Sequence, residues 1–440
     1  MNDALVTIVM PVYNAADYLE ESLGDLVKQS YSNIEIICVN DGSSDNSGAV
    51  LESFAGRDDR MIVISQENQG GGAARNRGYE AASGEYIIFL DADDRFESTL
   101  IEKAVTKAVS EKSDVLMFSA DEFHYVTGAR RPAPWLMQSR GGSYDGNPFH
   151  YTTTTVWNKL FRRDYLVKNK VRFMDERVVA DTMYFTFFAL MYAKKISFID
   201  EVLLHYRSDN PQSLTRKHDK RPLDILKVLG TIWDRLRADK ELSSRQDIYV
   251  NFALKYLFER TSWFQSIESF SQVYDALHSG GFEKIGLTDD KDQFIEGDNW
   301  RNIKRSIVDN ELTEYLFLKE KQYKDKGLLT KTVYFLPGQI YQKLKEADCK
   351  VALYGGGMVG KSYFPQIQSI STAKVAAWVD ARFDTIGYPL QSPEILGNIS
   401  FDYIVICSEH SGYLSEIKSK LNTTGIPNEK ILWEMPEKQI

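Results

Sequence analysis

The sequence predicts an α/β protein: an N-terminal, mostly parallel sheet with helices on both faces, a helical middle region, and a second, smaller α/β unit. Three observations carry this expectation. Short β-rich apolar runs alternate with amphipathic helical patterns from Val6 to Phe118, an order that calls for parallel strands joined by crossover helices. Within it, YIIFLDADD (residues 86–94) has four large apolar residues, Ile87 to Leu90, fit for a strand buried on both faces, and ends in Asp91, Asp93 and Asp94. Near the C-terminus, the apolar run Val351–Tyr354 enters Gly355–Gly360, which satisfies G-x-G-x-x-G. The expected divisions are residues 1–220, 221–346 and 347–440.

Taken in order, Val6–Met10 is a strand stopped by Pro11, which lacks the donor a central ladder needs. Tyr18, Leu19, Leu23, Leu26 and Val27 share one helical face. Ile34–Val39 is the second strand, ended by the turn Asn40–Ser43; Ser43 or Ser44 then suits the cap of a helix through Val50, Leu51 and Phe54. Met61–Ile64 is the third strand, and Gln69–Gly72 leads into a helix from Ala73 to Ala82 that carries Arg75 and Arg77. The Tyr86 strand, a helix over Ile101–Val109 and a fifth strand, Val115–Phe118, complete the alternation. Right-handed crossovers then bring the strand-end loops to one edge.

From Leu223 the pattern becomes helical. Ile225, Leu226 and Leu229, then Ile232 and Leu236, recur at helical spacing; Phe252–Phe258 marks another helix, and Ile307, Leu312, Tyr315 and Leu316 a further one. The aromatic stripe with Trp263 and Phe264 reads as core or interface, so acceptor positioning or self-association is expected of this region.

Bulk properties exclude several classes. A net charge of −9 argues against nucleic-acid or anionic-membrane binding through the whole molecule's field. Cys38, Cys349 and Cys407 lie far apart in apolar runs, as reduced core residues do. Met1–Leu5 is polar and the apolar run after it is cut at Pro11, so no signal peptide is expected; Phe185–Ala193, broken by Thr186, is too short to span a bilayer. The expectation is a cytoplasmic protein with at most peripheral membrane contact.

The predicted edge gathers Pro11–Asn14, Asn40–Ser43, Gln69–Gly72 and Asp91–Asp94. Carboxylates are costly to bury unpaired, so three at a buried strand's end point to a hard divalent cation shared with phosphate oxygens. The glycine run has no Walker spacing; it is either a turn or, placed before a helix bearing arginines, a diphosphate cradle. Asp41 is either an acceptor for a base or ribose, or an Asx turn closing its strand.

At these residues the chain resembles a known family. VTIVMPVYNAADYLEESLGDLVKQSYSNIEIICVNDGSSDNS, followed by NQGGGAARNRGYEAASGEYIIFLDADD, is similar to the nucleotide-binding half of the family 2 glycosyltransferases of GT-A fold, and the likeness extends over roughly the first 210 residues. It implies a nucleoside-diphosphate-sugar donor, usually uridine-linked, a divalent metal (Mn2+ or Mg2+), and inversion at the anomeric carbon. By the same resemblance Pro11, Tyr13 and Asp41 line the nucleoside, Asn68 and Arg75 lie near it or the diphosphate, Asp91 holds ribose or metal-bound water, and Asp93 ligates the metal.

The family draws its base from an acidic pair before an apolar helix. In DERVVADTMYFTFFAL, residues 175–190, Ala180 stands where that pair has Glu, and Asp181 remains. Asp181 is the expected catalytic base, compatible with a helix N-cap; Asp175 and Glu176 are the alternatives. VWNKLFRRDYL (156–166) also resembles the family: Trp157 is either an acceptor-stacking ring or core, and Lys159 either a phosphate or carboxylate partner or a solvated cation. His205 or His218, in a segment that resembles the closing loop of such domains, is a candidate further ligand.

The C-terminal fingerprint has Asp380 twenty residues beyond Gly360, the spacing of a ribose-binding acid. This part resembles the small Rossmann-like domains appended to some bacterial sugar-processing enzymes. About ninety residues are too few for both halves of a dinucleotide fold, and no Tyr-x-x-x-Lys follows; a docking role or a small anion at Gly355–Gly360 is expected. The competing functions are a dinucleotide-dependent oxidoreductase or epimerase run from this part, and a non-catalytic sugar-nucleotide scaffold.

Overall fold

The computed structural model describes residues 3–124, 130–133, 146–208, 220–261, 267–296, 298–310, 334–346, 348–368, 370–381, 390–408, 414–435 and 437–438. The chain forms two compact units, Met1–Ala253 and Leu254–Ile440.

The first unit is built on a nine-stranded mixed sheet. Strands β1 (Val6–Val12), β2 (Ile34–Asp41), β3 (Met61–Gln66) and β4 (Tyr86–Phe89) run parallel in the order β3-β2-β1-β4. Helices α1 (Ala16–Val27), α2 (Ser47–Ala55) and α3 (Gly71–Ala81) make the crossovers. Four parallel strands therefore deliver the ends of β1 to β4 to one edge. Val6, Ile8, Val9 and Met10 of β1 are wholly buried, as a central strand covered on both faces requires.

Beyond β4 the sheet departs from the expected pattern. The next in sequence are β5 (Arg95–Phe96), α4 (Leu100–Glu111), β6 (Val115–His124) and β7 (Arg130–Pro132), then β8 (Lys159–Arg162), α5 (Arg163–Lys168), α6 (Asp181–Tyr192) and β9 (Ile196–Ser208). The Val115 strand does not follow β4: β8 lies between them, antiparallel to both, with Ile87↔Phe161 and Val115↔Phe161 in register. The apolar run Leu160–Phe161 and Val115–Phe118 are all fully buried, so either order satisfies hydrophobic pattern alone. β9 pairs parallel with β6 and antiparallel with β5, which brings His205 opposite Arg95.

The expected serine cap of α2 is also replaced. α2 starts at Ser47 without a side-chain cap. The Ser43 hydroxyl instead accepts from Asn14 N at 3.0 Å, and Asn14 Oδ1 accepts from Ser44 N at 2.8 Å. These serines tie the β1 loop to the β2 loop.

Phe89 of β4 packs edge-on against Phe173, at 5.0 Å, and Phe185 of α6, at 5.2 Å; Phe173 and Phe185 stack at 4.2 Å. Such pairs contribute about 0.5–1.5 kcal/mol each beyond burial. They fix the segment leading into α6 over the end of β4. Helices α7 (Asp224–Ala238) and α8 (Gln246–Thr261) realise two of the predicted helical stripes, with Ile225, Leu229, Ile232 and Leu236 buried. The boundary between the units falls within α8.

In the second unit, helices span Ile267–Ala276 and Asp298–Val308. Trp263, Phe264, Leu312, Tyr315 and Leu316 lie outside the described residues. A four-stranded parallel sheet follows, built from Cys349–Tyr354, Ala373–Val379, Tyr403–Ile406 and Ile431–Leu432, with the first strand between the second and third. Cys38, Cys349 and Cys407 are free and buried. Among the described residues, no helix is long and apolar enough to cross a membrane.

Candidate active site at the strand ends

Asp41 ends β2 almost wholly buried, and its carboxylate organises the neighbouring loop. Oδ1 accepts from Gln66 Nε2 and Gln69 N, and Oδ2 from Gly70 N, all at 2.8 Å. Of the two readings of Asp41, the Asx turn is not formed; the turn is closed from Asn40, whose Oδ1 accepts from Ser43 N, three residues on, at 3.0 Å. Gly42 (φ +70°) and Gly70 (φ +97°) hold left-handed backbone, and a Cβ on Gly42 would lie 2.8 Å from Asn68 N. The two loops thus close on each other only through glycine. Asn68 Oδ1 is buried with no hydrogen-bond partner among the described residues. Pro11 and Tyr13 stand at the end of β1; the Tyr13 ring is 50% exposed, an open aromatic face of the kind that stacks on a base.

The glycine run starts α3, with Gly70 at its N-cap. A Cβ on Gly71 would lie 3.3 Å from Asp181 Oδ2, and one on Gly72 3.3 Å from Asp181 Cβ. The run is bare because α3 and α6 meet there. Arg75, one turn on, reaches both sides: Nη2 donates to Asp91 Oδ1 at 2.7 Å and Nη1 to Asp181 Oδ2 at 2.8 Å. Burial alone would lower the Arg75 pKa, and the carboxylates of Asp91 and Asp181 more than offset this, leaving it raised.

Asp181 is the first residue of α6; Ala180 holds the cap position, and Asp181 Oδ1 accepts from Thr182 N at 2.8 Å. Its side chain is 18% exposed. Asp175 and Glu176 are far more open, at 79% and 62%, paired with Arg172 and Lys227.

Asp91 and Asp93 are half-buried and Asp94 is fully buried. Burial, then the charges of Asp93 and Asp91, push the Asp94 carboxyl well above the usual range. Asp94 Oδ1 accepts from Arg207 N at 2.9 Å, while Oδ2 has no partner among the described residues. The loop therefore crowds three carboxyl groups around an orphaned hard oxygen, a donor set that fits a divalent cation. Among the described residues no three His, Cys, Asp or Glu side chains are grouped to hold a metal by themselves, so such a cation needs substrate oxygens. His205 does not fit as a ligand: Nδ1 is bonded to Asp121 at 2.6 Å and Nε2 to Glu97 at 2.9 Å. His218 lies outside the described residues.

Two predicted contacts resolve as core. Trp157 is buried and stacks on Tyr206 at 5.5 Å. Lys159 is fully buried, donating to Thr155 O at 2.6 Å and Asn158 Oδ1 at 2.8 Å; burial holds its pKa well below the ordinary value. Solvation and a surface phosphate contact are both excluded by that position.

Two residues were not singled out from sequence. Arg207 Nε donates to Asp93 O at 2.6 Å and Nη2 to Glu21 at 2.8 Å, with the guanidinium over Tyr18 and Phe123. It pins the acidic loop to β9. Asn76 takes both backbone groups of Phe173, donating to O at 3.0 Å and accepting from N at 2.9 Å. Its place next to Arg75 was the available signal.

In the second unit the fingerprint's residues pack closely on one another. Asp380 accepts from Gly356 N at 2.5 Å, so its carboxylate is turned to the loop itself. A Cβ on Gly360 would lie 1.9 Å from Gly355 O, the close helix–strand approach for which the third glycine serves.

Comparison with known proteins follows the same division. Residues 7–169 match the family described as glycosyl transferase family 2, and residues 347–432 the one described as C2185-like, N-terminal. The chain is 32% identical over 268 residues to the glycosyltransferase GlyG of Streptococcus pneumoniae, covering 57% of this chain and 87% of GlyG. It is 34% identical over 232 residues to the putative glycosyltransferase EpsH of Bacillus subtilis, covering 50% of this chain and 65% of EpsH. The crystal structure of Staphylococcus aureus TarS 1-349 in complex with UDP-GlcNAc superposes with a TM-score of 0.58 at 21% identity, covering 74% of this chain and 93% of that one. That likeness establishes the fold.

Proposed function

Because this chain belongs to the family 2 glycosyltransferases, we propose that its first unit carries out metal-dependent, inverting transfer of a sugar from a nucleoside-diphosphate donor to a glycan, glycoprotein or lipid-linked acceptor. The donor we assign is a uridine one, and the setting the cytoplasmic side of bacterial surface-glycan synthesis. One observation carries the reading: Asp91, beside Asp93 at the end of β4, and Asp181, at the start of α6, are joined by a single guanidinium. Donor-side and acceptor-side carboxylates are thereby brought to one place.

Tyr13 stacks on the base and Pro11 flanks it, while Asp41 and the unpartnered Asn68 Oδ1 accept from the nucleoside. Asp91 holds the ribose or a metal-bound water. Asp93 would hold Mn2+ or Mg2+, which when bound offsets the charge of the departing diphosphate. Asp181 takes the proton of the acceptor hydroxyl as that oxygen bonds the anomeric carbon from the face opposite the donor phosphate. The bond from that carbon to the phosphate oxygen breaks, and its electron pair leaves with the nucleoside diphosphate. TarS was crystallised with UDP-GlcNAc and with UDP, which supports a uridine donor. The middle helices would position acceptor or a second copy of the chain, with residues 1–220, 221–346 and 347–440 as the working divisions.

The test is calorimetric titration of UDP with and without manganese. Binding that needs manganese is expected; equal binding in excess chelator removes the metal from the donor site.

A further inference from the structure

The Arg75 side chain is only 9% exposed, and each of its terminal nitrogens is committed to a different carboxylate, Asp91 and Asp181. The guanidinium also lies 5.6 Å from the centre of the Phe173 ring, whose backbone Asn76 clamps from the adjacent position. On the other side, a Cβ at Gly71 would come within 3.1 Å of Arg75 Nη1. Sequence, packing and hydrogen bonding thus converge on holding this fork still. From this geometry we infer that Arg75 is a positioning residue for the base, setting the Asp181 carboxylate at a fixed place relative to the donor-side Asp91, instead of a ligand of the donor diphosphate. The inference rests on Asp181 being the base and adds what aims it.

The chemistry explains the residue type. A carboxylate offers about four lone-pair sites; on Asp181, Oδ1 accepts from Thr182 N and Oδ2 from Arg75 Nη1. As the base, Asp181 takes the proton of an acceptor hydroxyl, while Arg75 neither gives nor takes one. A lysine keeps the charge, but as a point donor it cannot match the two-pronged geometry. Asp181 then loses its fixed bearing, and a misplacement of about 1 Å costs on the order of 10²-fold in rate.

The experiment compares Arg75→Lys, Asp181→Asn and the double variant. UDP affinity is read by calorimetry with manganese, and turnover as UDP release from whichever of UDP-glucose, UDP-galactose and UDP-GlcNAc the unmodified protein consumes, with water as acceptor. Arg75→Lys is expected to lower kcat by about 10- to 100-fold with UDP affinity and donor KM held within about threefold. In the Asp181→Asn background the same change should cost less than about threefold, because the two residues act as one unit. A UDP affinity weakened by about tenfold or more would make Arg75 a diphosphate ligand and overturn the inference; so would an undiminished loss in the double variant. A crystal structure of Arg75→Lys supplies a reading independent of turnover: a displaced Asp181 carboxylate is expected, and an unmoved one contradicts it. Full turnover by Asp181→Asn alone would instead strike the base assignment, a separate failure.

Discussion

Asp94 sits fully buried, three residues on from the half-buried Asp91 and next to Asp93, with one carboxylate oxygen unpartnered among the described residues. Three acids so placed repel one another, and a cation bound by Asp93 would relieve that repulsion. Asp93→Asn should therefore abolish manganese-dependent UDP binding and nearly all transfer. The fold should persist, since Asp93 meets Arg207 through its backbone oxygen. Calorimetry and melting temperature check both parts; full activity in the variant removes Asp93 as a ligand. The place of Asp93 just past the end of β4 was legible from sequence because D-x-D after an apolar run is a local pattern. Arg207 was not, because its hold on Asp93 and Asp94 comes from a residue more than a hundred positions away.

At the scale of elements, α3 is the piece most tightly cut to its surroundings. Gly78 faces β1 and β2, and a Cβ there would lie 2.4 Å from Val9 Cγ1 and 3.3 Å from Val39 Cγ2. Both valines are wholly buried and branched, so neither moves aside. Gly78→Ala should cost about 1–3 kcal/mol by overpacking, outweighing the gain of roughly 1 kcal/mol in helix preference. A urea-denaturation midpoint checks this, and a stabilised variant contradicts it. Helix α3 and the four parallel strands were readable in the sequence from short apolar runs alternating with helical segments. The antiparallel insertion of β8 was not: strands buried on both faces carry no alternation to set direction or neighbour. The helix start at Asp181 was legible from its apolar run, whereas its pairing with Arg75 depends on the approach of α6 to α3.

On the scale of the whole molecule, two glycine-rich turns sit at strand ends in different units, with different prospects. Asp380 is turned toward its own loop, and Leu390 packs where a Gly356 side chain would be, at 2.3 Å. NAD should therefore leave the melting temperature unchanged while UDP with manganese raises it by mass action. A clear NAD shift that Gly357→Asp abolishes would contradict this, since Gly357 has open space around it and tolerates a side chain. As an enzyme, the first unit depends most directly on Asp181. Asn keeps an acceptor for Thr182 N and holds the helix start, yet cannot take a proton; its amide also gives up the ion pair with Arg75, which lowers the melting temperature without unfolding the protein. The decisive measurement is the turnover of Asp181→Asn at saturating donor, alongside its UDP affinity and melting temperature. A rate lower by about 10²–10⁴-fold is expected, with UDP affinity preserved and the fold retained; a rate within a few-fold of the unmodified protein would make Asp181 no base.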